Sequence, residues 1–248
     1  SADFRLKDPD LYAATYGRSH DHTALLSGAI YGLTEYARSE LPGAKLVACP
    51  GCYPTCTLLS LLPAFDADMV ETDSIIIDAK SGVTGAGRKT VTSLIYPEIS
   101  DGAHAYGVGT HRHAPEIDQM LSHVTGEDIC VSFTPHLIPM NRGMITTSYL
   151  TLKPGVSFED VQAAYAARYA DEPFIDSEQS GAAPQSLHIR GSNNVRIGLF
   201  QDRAPGRIII TAVIDNLTKG SSGQAVQNYN VVQGWDETLG LTGTALFP

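Results

Sequence analysis

Residues 49–56 read Cys49-Pro50-Gly51-Cys52-Tyr53-Pro54-Thr55-Cys56 and run on into Thr57-Leu58-Leu59-Ser60-Leu61-Leu62-Pro63. Proline suits the first turn of a helix, where its missing N–H has no partner to lose and its fixed φ is already helical, so Pro54 marks a helix start. Leu58, Leu59, Leu61 and Leu62 continue an apolar helix that is expected to stop near Pro63. Cys52 therefore falls at a helix N-terminus. Unpaired amides and the positive end of the dipole favour a thiolate there, and the thiolate is the nucleophilic form of the residue. Gly51 allows the tight turn that leaves the sulfur accessible. On these grounds Cys52 is expected to alkylate faster than Cys56 or Cys130 at neutral pH; a buried structural cysteine is the alternative at this point.

Cys49 and Cys52 also form a C-x-x-C. A zinc site wants a second pair at similar spacing, and only Cys56 and Cys130 remain, with no nearby H-x-x-x-H, so no metal is expected. A thiol-exchange role stays open, since a C-x-x-C at a helix start is the arrangement thiol oxidoreductases use.

Working outward, runs rich in branched residues predict strands at Ser74 to Ala79, Cys130 to Thr134, Met144 to Leu152, Val195 to Phe200 and Arg207 to Ile214. Helical patterns lie between them, near Thr23 to Arg38, Pro54 to Leu62, Glu116 to Val124, Phe158 to Tyr169 and Gly223 to Gln233. The fold class is α/β with a mixed sheet. The stretches Gly181 to Ser186 and Gln201 to Gly206 read as loops.

Composition bounds the partners. The 248 residues are 43% hydrophobic and 18% charged, a globular composition large enough to bury its own core. Seventeen basic against 27 acidic residues give a formal charge of −10, which opposes binding to nucleic acid or to an anionic membrane surface, so an anionic small molecule needs a local cluster of cations. No apolar run approaches the roughly 18 to 20 residues that a bilayer span requires. Four cysteines are too few for a disulfide scaffold, and the N-terminus shows no signal-peptide pattern, so a reducing, cytoplasmic location is expected.

Three more stretches bear chemistry. Ser81-Gly82-Val83-Thr84-Gly85-Ala86-Gly87-Arg88-Lys89 follows a predicted strand, and its three glycines with two cations could bring backbone amides to a phosphate. It is not G-x-G-x-x-G, and a plain turn is the simpler alternative. Tyr106-Gly107-Val108-Gly109-Thr110-His111-Arg112-His113 places two proton carriers around a fixed charge, just before a helix start at Pro115. Arg142, in Phe133 to Gly143, and Arg190, in His188 to Asn193, stand at strand-to-loop junctions, where arginine forks suit carboxylates and phosphates.

Taken together with Ser1 to Leu6 and Asp215-Asn216-Leu217-Thr218-Lys219-Gly220, these stretches resemble N-acetyl-γ-glutamyl-phosphate reductase of arginine biosynthesis, in order and over essentially the whole chain. The resemblance implies NADPH-dependent reduction of N-acetyl-L-glutamyl 5-phosphate to the semialdehyde and phosphate. It implies a fold like the C-terminal domain of glyceraldehyde-phosphate and semialdehyde dehydrogenases, and a homo-oligomer, dimer or tetramer. It assigns Cys52 as the nucleophile that forms a thioester and His111 as the acid–base residue, with His113 in reserve. Arg112, His113, Glu116 and Arg190 would lie near the substrate, and Ser81, Gly82 and Asn216 near the nicotinamide. Family members begin with a glycine-rich nucleotide-binding half, so residues 1–48 are expected to be the end of that half. Residues 49–214 would then be the catalytic and dimerisation domain, and residues 215–248 a helix returning to the nucleotide-binding domain. A catalytic or oligomerisation fragment without reductase activity, a thiol-redox protein, and a semialdehyde dehydrogenase acting on aspartyl phosphate are the rivals. Position 49 is usually asparagine in the family, and cysteine stands there in this chain.

Overall fold

The computed structural model describes residues 2–87, 90–178 and 181–246. Ser1, and Arg88 and Lys89 of the proposed phosphate-binding loop, lie outside them. The chain opens with helix α1 (Pro9–Tyr16), a short parallel pair β1 (Ile30–Tyr31) and β2 (Val47–Ala48), and a single turn α2 (Thr34–Ala37) between them. Helix α3 (Cys52–Asp66) follows. Then come β3 (Ile76–Ser81), a turn α4 (Tyr96–Ile99), β4 (His104–Ala105), α5 (Ala114–Thr125), β5 (Ser132–Leu137), β6 (Met144–Thr151), α6 (Phe158–Tyr169), β7 (Ile175–Glu178), β8 (Val195–Gln201), β9 (Arg207–Ile214) and α7 (Gly223–Val232).

The seven later strands form one mixed sheet in the order β4-β5-β3-β6-β9-β8-β7. β3 runs parallel to β5 and antiparallel to β6, β9 is antiparallel to both β6 and β8, and β7 lies parallel to β8. Side chains alternate with the period of a strand. Met144, Thr146, Ser148 and Leu150 of β6, with Ile208, Ile210 and Ala212 of β9, are buried beneath α3, whereas Ile145, Thr147, Tyr149, Ile209 and Thr211 are half-exposed on the opposite face.

Helix α3 is buried on every side from Tyr53 to Phe65, as expected of a helix that is apolar all round. It does not stop at Pro63 but runs through to Asp66. Proline at 63 removes the N–H that would reach the Leu59 carbonyl, and the Tyr169 hydroxyl of α6 donates to that carbonyl instead. The Tyr165 hydroxyl does the same for the Ser60 carbonyl. A partner from another element thus satisfies the group whose loss would otherwise end the helix.

The single helix expected over Thr23 to Arg38 does not form. A 3-10 turn at Thr23–Leu25, β1 and α2 occupy that stretch. Gly32 decides it, because a methyl there would sit 2.5 Å from Val47 Cγ1 and 2.6 Å from Asn228 Nδ2, so the backbone passes where no side chain fits. The five expected strands fall close to β3, β5, β6, β8 and β9, and α6 matches its expected bounds. Strand β7 and helix α1 were not foreseen. Among the described residues no helix is long and apolar enough to cross a membrane, and no group of three or more acidic, histidine or cysteine side chains is placed to hold a metal.

Candidate active site

Gly51, extended at φ −66° and ψ 159°, caps α3, and Cys52 is its first residue. Pro54 sits two positions further in, still within the first turn where its missing N–H is harmless. The Gly51 carbonyl accepts the Thr55 N–H at 2.8 Å. The Gly51 N–H donates at 2.8 Å to Glu116 Oε1, which also accepts the Tyr31 hydroxyl at 2.9 Å. Glu116 is 1% exposed, and Arg5 Nη1 stands 3.5 Å from its other oxygen while Arg5 Nε donates at 2.8 Å to the Cys49 carbonyl. The turn that presents Cys52 is therefore clamped from two sides, by buried Glu116 and half-buried Arg5.

Cys52 opens onto a cavity of about 480 Å³ lined by Tyr53, Ser81, Gly82, Gly85, Ala86, Tyr106, His111, Arg112 and His113 among others. His111 and His113 arrive from the loop ahead of α5, with ring centroids 4.8 Å apart. His111 Nδ1 accepts the His113 N–H at 3.2 Å, which leaves Nε2 as the protonated nitrogen of the neutral ring. Its ring meets Tyr53, Tyr106 and Phe133 edge-on or tilted at 5.5–5.6 Å. His113 is 7% exposed and packs on Gly51, where a methyl would stand 2.5 Å from its Nε2; its Nδ1 has no hydrogen-bond partner among the described residues. The Tyr106 hydroxyl donates to that of Tyr53 at 3.0 Å.

The electrostatics correct one expectation. Burial pushes the Cys52 thiol up to about 11, outweighing the Tyr53 N–H and the Arg5 charge that favour the thiolate. The helix start and imidazole do not lower it below the ordinary value, because the sulfur is desolvated before either can act. Burial, and then the Arg112 charge, holds His111 down to about 4. His113 is lowered well below its usual value by burial and then by His111, Arg5 and Arg112. Both rings are neutral near pH 7, and the thiol that shares their cavity is protonated. Burial raises Glu116, with Arg5, the Gly51 N–H and Tyr31 opposing.

Not every residue singled out from the sequence reaches the cavity. Ser81, Gly82, His111, Arg112 and His113 line it with Cys52. Glu116 stands behind the Cys52 turn, not in the lining. Arg190 Nε donates to the Leu246 carbonyl at 3.2 Å, away from the cavity. Asn216, 2% exposed, accepts the Gly143 N–H at 2.7 Å and donates to Thr84 Oγ1 at 3.0 Å, so it braces the glycine loop from behind. Arg142 pairs with Asp215, a fully buried carboxylate that also accepts the N–H groups of Gly191, Leu217 and Thr218. Tyr31, Arg5, Tyr106 and Asp215 were missed in the sequence. Arg5, Tyr106 and Asp215 stand in stretches that carried the resemblance, Asp215 in a turn-forming Asp-Asn pair, whereas Tyr31 left no signal.

A slightly larger cavity, about 540 Å³, lies beyond Tyr31 between Lys7, Ile30, Tyr36, Met120 and Val124. It contains no cysteine or serine. Chemistry selects the smaller one.

Residues 52–216 match the family model described as "Semialdehyde dehydrogenase, dimerisation domain". The whole chain aligns at 52% identity with 70% of the N-acetyl-gamma-glutamyl-phosphate reductase of Rhodospirillum rubrum. It is 51% identical over 246 residues to the protein of the same name from Afipia carboxidovorans, again 70% of that protein. A probable chloroplastic N-acetyl-gamma-glutamyl-phosphate reductase of Arabidopsis thaliana is 48% identical over 248 residues, 62% of its length. Among solved structures, aspartate semialdehyde dehydrogenase II of Vibrio cholerae superposes over 84% of this chain and 69% of its own with a TM-score of 0.66 at 17% identity, a likeness of fold.

Proposed function

The chain belongs to the N-acetyl-gamma-glutamyl-phosphate reductase family of semialdehyde dehydrogenases, and from that premise we propose that it reduces N-acetyl-L-glutamyl 5-phosphate to N-acetyl-L-glutamate 5-semialdehyde and phosphate, in arginine biosynthesis, through a thioester on Cys52. The observation that carries the assignment is Cys52 at the first position of α3, in one cavity with two neutral imidazoles and Arg112.

Cys52 gives its proton to an imidazole, His111 in our assignment, and the sulfur attacks the acyl carbon. The C–O bond to the phosphoryl group breaks, and phosphate leaves with the electron pair. Arg112 lies where it can meet the charge of that phosphate or of the substrate carboxylate. We assign the Cys52 N–H, at the start of α3, to the oxygen that becomes anionic. Ser81, Gly82, Gly85 and Ala86 line the same cavity as the sulfur, which supports seating the nicotinamide end of a coenzyme there. A reduced nicotinamide bound there, NADPH in our proposal, supplies the hydride. His111 returns the proton it took from Cys52 to the oxygen of the resulting hemithioacetal, takes it back as the C–S bond breaks and the aldehyde leaves, and hands it to the departing Cys52 thiolate. Thiol chemistry of this kind suits a reducing compartment, and we assign the protein to the cytoplasm. The half-exposed sheet face with Ile145, Tyr149 and Ile209 is the proposed dimer surface.

Phosphate-dependent oxidation of N-acetylglutamate semialdehyde tests the reading, with aspartate semialdehyde as the competing substrate. Activity on the first that disappears in Cys52→Ser is expected. Activity retained in Cys52→Ser, or a preference for aspartate semialdehyde, would overturn it.

A further inference from the structure

The wall behind Cys52 is held from both ends of the chain. Residues Thr218–Ser222 make one π turn between β9 and α7. Its Gly220 backs directly onto the cysteine: a methyl on Gly220 would stand 2.9 Å from Cys52 Cβ, 3.2 Å from Ile214 Cδ1 and 3.4 Å from the Asp215 carbonyl. Lys219, next to it, is wholly buried. Its ammonium is bonded to Glu35 Oε1 and, at 2.7 Å, to Gln227 Oε1, and lies 5.8 Å from the centre of the Phe174 ring. Glu35, on α2, is 3% exposed, and its Oε1 also accepts from Gln227 Nε2 at 3.2 Å.

Two opposite charges removed from water are a poor source of stability, since apolar side chains of the same volume often do as well. A directional tether is what the charges add. Glu35 also rides on the segment whose Gly32 carbonyl accepts from Gln224 and Asn228 of α7, and whose Tyr31 reaches Glu116 and so the Gly51 N–H. One short stretch therefore controls the turn on one side of Cys52 through Tyr31, and the turn on the other side through Glu35.

We propose that Glu35 and Lys219 are positioning residues for Cys52: their buried ion pair tethers the π turn so that Gly220 fixes the Cβ of the nucleophile. The inference rests on the assignment of Cys52 as the nucleophile. Release of the tether lets the turn withdraw, and the sulfur loses its alignment with the Tyr53 N–H at the start of α3. A methyl on Gly220 disturbs the same seat from the other direction while leaving the ion pair whole.

The four thiols provide the assay. Iodoacetamide labelling of the intact protein, assigned to each cysteine by fragment-ion mass, follows Cys52 against exposed Cys130, while buried Cys56 reports loss of fold. In Gly220→Ala and Lys219→Met, Cys52 labelling relative to Cys130 is expected to fall by at least about threefold with Cys56 protected, and kcat to fall by a similar factor with KM held within about twofold. If Cys56 becomes reactive in Lys219→Met, Glu35→Gln, which removes the charge at nearly constant volume, decides by the same criterion. A smaller fall, or a rise, in Gly220→Ala or in the folded charge variant overturns the proposal. Turnover surviving in Cys52→Ser would instead defeat the nucleophile assignment, and the labelling result would still stand or fall by itself.

Discussion

Glu116 Oε1 accepts the Gly51 N–H at 2.8 Å from 65 residues away, so the carboxylate that the family resemblance placed beside the substrate holds the turn that presents the nucleophile. Truncation in Glu116→Ala leaves the Gly51 N–H, the Tyr31 hydroxyl and the Arg5 guanidinium without their shared partner. A loss of about 2–4 kcal/mol is expected by chemical denaturation, against about 1 kcal/mol for Tyr31→Phe, which removes a single bond. Equal losses from the two variants would show that the Gly51 contact contributes nothing.

Burial of Cys52 predicts how its reactivity depends on pH. With the thiol pushed up to about 11, its alkylation rate is expected to climb through pH 9 and 10 instead of levelling near neutrality, and exposed Cys130 should outpace it at pH 7. A plateau below pH 8 would restore the low-pKa thiolate read from the sequence.

Histidine protonation sets the acid limb of stability. His111 is held at about 4 in the folded chain against 6.5 unfolded, and His113 is displaced in the same direction. Below pH 6.5 the unfolded chain takes up protons that the folded chain refuses, so this contribution is present above 6.5 and lost as pH falls toward 4. Cys52, raised from 9.0 to about 11, has the opposite sign and loses its contribution as pH rises from 9 to 11. Melting temperature should fall less steeply from pH 6.5 to 4 in His111→Asn than in the parent, and less steeply from 9 to 11 in Cys52→Ser. Parallel curves over either interval would contradict the burial of that group.

The two histidines should separate kinetically. As the acid–base group, His111→Asn is expected to lower kcat by about 10²- to 10⁴-fold and flatten the pH–rate profile, whereas His113→Asn should act mainly through KM. The reverse pattern would transfer the role to His113.

Tyr169 and Pro63 should be coupled. Tyr169→Phe leaves the buried Leu59 carbonyl unpaired and is expected to cost about 1–2 kcal/mol, whereas in a Pro63→Ala background the new backbone N–H can reach that carbonyl and the tyrosine should matter less. Additive losses in a double-mutant cycle would argue that the hydroxyl does not substitute for the missing donor.

Local signals determined much of this protein. The alternation in Met144 to Leu152 and Arg207 to Ile214 specified strands with one buried face, because a one-residue slip would turn every apolar side chain outward. The Pro-Gly-Cys-Tyr-Pro stretch specified a helix start with a cysteine on it, and the His-Arg-His stretch specified a loop ahead of another helix start, since caps and turns depend on a few adjacent residues. Tertiary structure decided the rest, wherever the partner lies far along the chain. Pro63 ends a helix unless Tyr169 arrives from another one. The stretch from Thr23 to Arg38 reads as helical until Gly32 must pass against Val47 and Asn228. The ionisation of Cys52 turns on how much water its neighbours exclude, which outweighs the helix start that the sequence displays. The second partner of the Gly51 turn, and the charge that tethers Gly220, come from Glu116 and Glu35, and only folding brings them to the two turns that flank the cysteine.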